Sequence, residues 1–207
     1  MNYSKYTNNA NQMRYSTHNV SYNQVQQPSQ NISPIYYVSN IPIDLAKSLE
    51  GKYFLGVAED LEFGNATSAW ARLYNPPDSG VNLFVNVWTV SDIVSSPFKV
   101  QIWLNSNPNG FIQQSPLITP ANTAINPLPQ SKVKLEYAIG VKGFPEGGAK
   151  TYGRIGPAGV TITSEENGKI IIPPGGSFLV YVSNPERPTQ LATSKIAFGW
   201  WEEPIQQ

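Results

Sequence analysis

The sequence predicts an all-β fold, a two-sheet antiparallel sandwich of jelly-roll type, carried behind a flexible N-terminal arm. Three observations predict it. Short runs rich in Val, Ile, Thr, Phe, Tyr and Trp alternate apolar with polar residues, the period-two signature of half-buried strands. Proline and glycine cluster between those runs, and 18 prolines and 16 glycines in 207 residues supply the turns. Only one segment has a helical pattern, and eight or nine strands without intervening helices pack as two sheets.

Residues 1–33 form the predicted arm. They include no acidic residue, only Lys5 and Arg14 as basic ones, and many Asn, Gln, Ser and Tyr. Such a segment buries too little apolar area to offset chain entropy by itself. Asn19–Val25 keeps a partial two-residue alternation, so the arm is expected to gain order on a partner, with a plain flexible tail as the equal alternative. Ile32, Ile35 and Tyr37 mark the passage into the β domain, residues 34–207.

Pro42–Glu50 predicts one or two helical turns, with Asp44 as N-cap ahead of Leu45, Ala46 and Leu49. Strands are predicted at Lys52–Ala58, Ala66–Tyr74, Val81–Val90, Phe98–Leu104, Lys132–Ile139, Ala158–Thr163, Lys169–Ile172, Ser177–Ser183 and Thr193–Trp201. The clearest turns are Asn75–Gly80 and Pro173–Gly176, where proline presets φ and glycine supplies positive φ.

Strand parity predicts the faces. In Val81–Val90 the inward set is Val81, Leu83, Val85 and Val87, which leaves Phe84 and Trp88 on the outer face. In Phe98–Leu104 it is Phe98, Val100, Ile102 and Leu104, with Trp103 outside. Phe178, Val180 and Val182 oppose Leu179 and Tyr181. Phe84, Trp88, Trp103, Leu179 and Tyr181 are therefore candidates for an apolar outer surface that contacts another subunit, unless loops or the arm of the same subunit cover them.

Composition excludes more chemistry than it identifies. Charged residues are 14% of the chain, below the roughly 25% of an average soluble domain. The arm carries two positive charges, and the 12 basic and 14 acidic residues behind it leave the body slightly negative. Neither part has the clustered basic face that nucleic acid requires. A surface this poor in charge favours association. There is no cysteine, which removes disulfides, thiolate catalysis and cysteine-bound zinc. The single histidine, His18, lies in the arm, so the body offers neither a histidine base nor a histidine metal ligand.

No metal or other cofactor is expected. Glu59, Asp60 and Glu62 form an acidic cluster read as following a strand, and Glu165 with Glu166 is read as a hairpin turn. Both are expected to be solvated rather than a calcium site or a catalytic pair. Gly143–Thr151 superficially suggests a phosphate loop, but Ala149 separates glycine from Lys150 and no helix follows, so a long glycine-rich connection is expected. No apolar run reaches a membrane span and the N-terminus has no secretory signal pattern. The chain is expected to be made in the cytoplasm, with release on lysis or deposition on a spore surface as the routes by which it could reach an outer surface.

The stretch Tyr74–Val90, followed by Ser96–Asn105, resembles an uncharacterised family of small β-sandwich proteins from spore-forming Gram-positive bacteria. That resemblance implies no catalytic residues. The layout of arm and jelly roll is also similar to subunits of spore-appendage fibres, in which an N-terminal segment docks into the next subunit. Those subunits often cross-link through cysteine, which this chain lacks.

The expected function is a non-enzymatic, self-assembling structural protein. A homo-oligomer or fibre would form when part of Asn19–Tyr37 pairs with a neighbour's sheet edge, seating Val20, Tyr22, Val25 and Ile32. A carbohydrate-binding module that stacks sugars on exposed tryptophans is the alternative, and a viral capsid-type jelly roll ranks below it because the arm has so little basic charge.

Overall fold

The computed structural model describes residues 40–92, 97–184 and 189–205. Ile43–Gln207 forms one compact unit. It contains helix α1 (Ile43–Leu49) and eleven strands: β1 (Tyr53–Phe63), β2 (Ser68–Tyr74), β3 (Val81–Asp92), β4 (Phe98–Leu104), β5 (Gln113–Gln114), β6 (Ile118–Pro120), β7 (Lys134–Val141), β8 (Ala149–Gly156), β9 (Thr161–Ile172), β10 (Ser177–Ser183) and β11 (Ala192–Pro204).

The strands form a five-stranded sheet, β6-β1-β11-β3-β9, and a six-stranded sheet, β5-β7-β2-β10-β4-β8, with every pairing antiparallel. Removing β5, β6 and β7 leaves β1-β11-β3-β9 against β2-β10-β4-β8. Successive strands of that set switch sheets at each step but one, from β4 to β8, which pair within the same sheet, and this is the winding of a jelly roll. The β5–β7 segment is inserted between β4 and β8 and runs along one lateral side, adding β6 to one sheet and β7 to the other.

The core lies between the sheets. Phe54, Phe63, Leu83, Val85, Trp88, Ile102, Leu135, Phe178, Val180, Phe198 and Trp200 form its buried centre. Phe178 and Phe198 meet edge to face across the two layers at 6.3 Å. The two predicted turns lie side by side. Gly175, at φ 82°, and the 3.0 Å bond from Gly176 N to Pro173 O give a turn that needs glycine at its third position. Asn75 then joins the turns, its backbone bonding Gly175 and Gly176 while its side-chain amide donates to Val81 O and Ile172 O.

Several expectations are corrected. Trp88 is a core residue and does not face outward. Asn86 is an extra residue relative to β11, since Val85 pairs with Trp200 and Val87 with Gly199. That bulge reverses the parity, so Leu83 and Val85 point inward before it, and Trp88 and Val90 after it. The segments expected as two strands around a Glu165–Glu166 turn form the continuous β9. Asn167 and Gly168, at φ 52° and 71°, make a bulge within it. A Cβ on Gly168 would lie 2.0 Å from Trp201, so this position needs glycine for both conformation and space.

The glycine-rich segment contains strand β8, which sequence patterning missed because Gly153 and Gly156 interrupt the alternation. Glu59, Asp60 and Glu62 lie inside β1 rather than after it, where a bulge between Ala58 and Leu61 disperses them. Asp44 is in the first turn of α1 rather than ahead of it. This helix turns Lys47 inward and leaves Leu45 and Leu49 exposed, because Lys47 pairs with Glu50 and Glu203.

Candidate functional site

The molecule has two unlike lateral sides. On one, the inserted segment binds the body closely. Ser115 donates to Val57 O at 2.7 Å, and the Val57 amide donates to Leu117 O at 3.1 Å. The buried Glu202 carboxylate accepts from the Ser131 hydroxyl, the Lys132 and Val133 amides and the Trp200 indole at 2.6–3.3 Å. The edge strands here are only the three-residue β6 and the two-residue β5. Pro116 and Pro120 remove further amide donors.

On the other side the edges are β8 and β9, eight and twelve residues long. Their inward residues form a seam between the sheets. Ile162, Ile170 and Tyr152 pack against the core but stay partly exposed. Beside them, Glu166 Oε1 accepts from Trp88 Nε1 at 3.0 Å, Tyr152 OH at 2.5 Å and Ser164 Oγ at 2.9 Å. Arg154 donates to Ser164 Oγ at 3.4 Å, with its guanidinium 5.5 Å from the centre of the Tyr152 ring. The cluster laces β8 of one sheet to β3 and β9 of the other.

Burial pushes the Glu166 pKa up. Hydrogen bonds from Tyr152, Ser164 and Trp88, with the charge of Lys169, more than reverse that and leave the carboxyl below its ordinary value. The Tyr152 phenol is raised, by burial first and then by the adjacent Glu166. Glu166 is thus held ionised, as an acceptor rather than a proton donor. Among the described residues no group of three or more His, Asp or Glu converges as a metal site. Nor is any helix among them long and apolar enough to cross a membrane.

The predicted contact residues separate. Val20, Tyr22, Val25 and Ile32 lie outside the described residues. Phe84 is on the outer face of the five-stranded sheet, stacked on Trp201 at 5.3 Å. Leu179 and Tyr181 do face away from the sandwich, but a second apolar cluster with Trp70, Ala138 and Val141 buries them. Loops roof that cluster: Tyr181 OH donates to Gly143 O, Trp70 Nε1 donates to Asn109 O, and Phe144 packs on Tyr181. Trp103 lies half-buried at its margin, with Lys150 5.8 Å over its ring. Of the five tryptophans only Trp103 is not buried, so they do not form an exposed stacking platform.

Sequence reasoning missed the lacing residues Tyr152, Arg154 and Ser164, and placed Glu166 in a turn. The available signal was Asn167-Gly168, which fits a bulge as well as a hairpin.

The family described as a family of unknown function (DUF6143) matches the chain over residues 22–207, and the chain belongs to that family. No curated protein and no solved structure matches it.

Proposed function

We propose that this protein is a non-enzymatic structural subunit that self-assembles, with the N-terminal arm of one copy adding as a strand to a sheet of the next. One observation carries the reading: among the described residues both long sheet edges lie open on the same lateral side, while the chain's own insertion occupies the other. Open edges are templates for another strand. Tyr22, Val25 and Ile32 fall within the family match and Val20 just ahead of it. An arm that docks head to tail propagates into a fibre unless the rotation closes a ring.

A spore-surface layer or appendage is the setting we favour, on the resemblance to small β-sandwich proteins of spore formers and on the arm-plus-jelly-roll layout. The carbohydrate reading loses its main support with the burial of Trp70, Trp88, Trp200 and Trp201. Deleting Met1–Ser33 tests the proposal. Sedimentation and electron microscopy should show full-length assemblies and a folded, monomeric truncation. Assemblies that persist at unchanged concentration after the deletion would refute it.

A further inference from the structure

We infer that the acceptor edge is the run Thr161–Ser164 of β9, and that its occupant is segment Asn19–Val25 of a second copy. This rests on the reading of arm-mediated assembly and adds the address. The other edges carry obstacles. β5 and β6 are two and three residues long. β8 is bulged between Lys150 and Gly153, and places Lys150 and Arg154 along its length. The second half of β9 begins after the Asn167–Gly168 bulge, at Lys169.

Thr161–Ser164 has no charge, proline, glycine or bulge, and pairs with Ser91–Trp88 of β3 in unbroken register. Every second residue of such an edge turns its N–H and C=O away from β3, its one partner strand among the described residues. Uncharged, β-branched and unbulged, this run lacks the devices by which sheets deter a further strand.

The two faces of the run match the alternation of the segment. Thr161 and Thr163 sit outward beside Ser91 and Thr89, and the Ser91 and Thr161 hydroxyls are 2.9 Å apart. Inward lies Ile162, partly exposed at the seam near Tyr152. Over Asn19–Asn23 the residues Asn19, Ser21 and Asn23 share one face, and Val20 and Tyr22 the other, while Gln24 and Val25 reverse that pattern at the end of the segment. Added to β9, the polar set would continue the hydroxyl-rich outer face while Val20 and Tyr22 cover Ile162. The fifteen residues from Val25 to Asn40 reach about 50 Å when extended. A compact domain of this size is roughly 40 Å across, so the segment can reach a neighbour.

The absence of cysteine permits a direct test. Two full-length variants, Ser21→Cys and Thr163→Cys, are mixed and oxidised, with Thr119→Cys on β6 as the control partner. A 21–163 disulfide that exceeds the 21–119 product is expected, and equal yields or no 21–163 product would overturn the assignment. Thr163→Lys should raise the concentration needed for assembly by about tenfold or more, since an edge lysine deters pairing. If arm deletion disperses the assemblies and Thr163→Lys leaves them unchanged, the acceptor lies elsewhere and arm-mediated assembly stands. If the full-length chain never assembles, both readings fall.

Discussion

The two lateral sides of the sandwich solve the same problem differently. On the inserted side, the chain adds short strands, buries Val133 and Leu135, and holds the loop with a carboxylate that receives four donors. On the open side, two long edges have no further strand among the described residues, and the Glu166 cluster joins the sheets. A jelly roll has four sheet edges to manage, and among the described residues this one shields a single pair. The difference suits a division of labour under the proposed assembly, with one side closed by the chain's own insertion and the other laced by the Glu166 cluster.

The sharpest way to break that comparison is to remove matched apolar volume from each side. Leu135 is fully buried against Gly56 and the core, so Leu135→Ala should cost about 3 kcal/mol. Ile162 lies at the open seam, and Ile162→Ala should cost about 1 kcal/mol because little cavity forms at an exposed margin. Urea denaturation below the assembly concentration measures both. Equal losses would mean that the seam is as closed as the inserted side.

A smaller contrast separates the two carboxylates. Glu202→Gln opposes an amide to donors that include two backbone N–H groups, and should cost about 2 kcal/mol. Glu166→Gln keeps an acceptor oxygen for three side-chain donors at a wetter site, and should cost about 1 kcal/mol or less. Thermal denaturation of the two variants ranks them. A larger loss at Glu166 would make the lacing, rather than the insertion, the chief clamp.

Sequence patterning read some strands far better than others. Phe98–Leu104 and Ser177–Ser183 match β4 and β10 residue for residue, the first because it alternates up to Trp103 and the second because it is a short apolar run, and both end at turn residues. The pattern failed where the backbone carries an extra residue. At Asn86 one added position reversed the facing of Trp88, and nothing in the composition of β3 marks it. At Asn167-Gly168 the dipeptide that best signals a hairpin serves a bulge instead, so β9 was divided in two.

β5 and β6 are too short to show a period. The seam itself was not legible for a topological reason. Trp88, Tyr152, Ser164 and Glu166 come from β3, β8 and β9, and only the winding of the jelly roll brings them together. The outward facing of Leu179 and Tyr181 was legible, but the loops that cover them, with Asn109 and Gly143 as hydrogen-bond acceptors, have no periodicity to predict.

The mildest expected effect is pH dependence of the lacing. Because the Glu166 carboxyl is held below its ordinary value of 4.5, its contribution is complete above that pH. It is lost as pH falls further, through the lowered value in the folded protein. Tyr152 has the opposite limb. Its phenol is raised above 10.0, so the neutral form favours the fold. That contribution is complete below pH 10.0 and disappears as pH rises through the raised value, when a phenolate would face the Glu166 carboxylate. Glu50 and Lys52 near α1 shift in the same two senses, so the wild-type profile alone does not isolate the seam. The difference in melting temperature between wild type and Glu166→Gln does isolate it. That difference should be flat near neutrality and shrink below pH 4.5, and Tyr152→Phe should remove the seam's share of the alkaline fall. A difference that stays constant across the acid range would show that the Glu166 charge contributes nothing to joining the sheets.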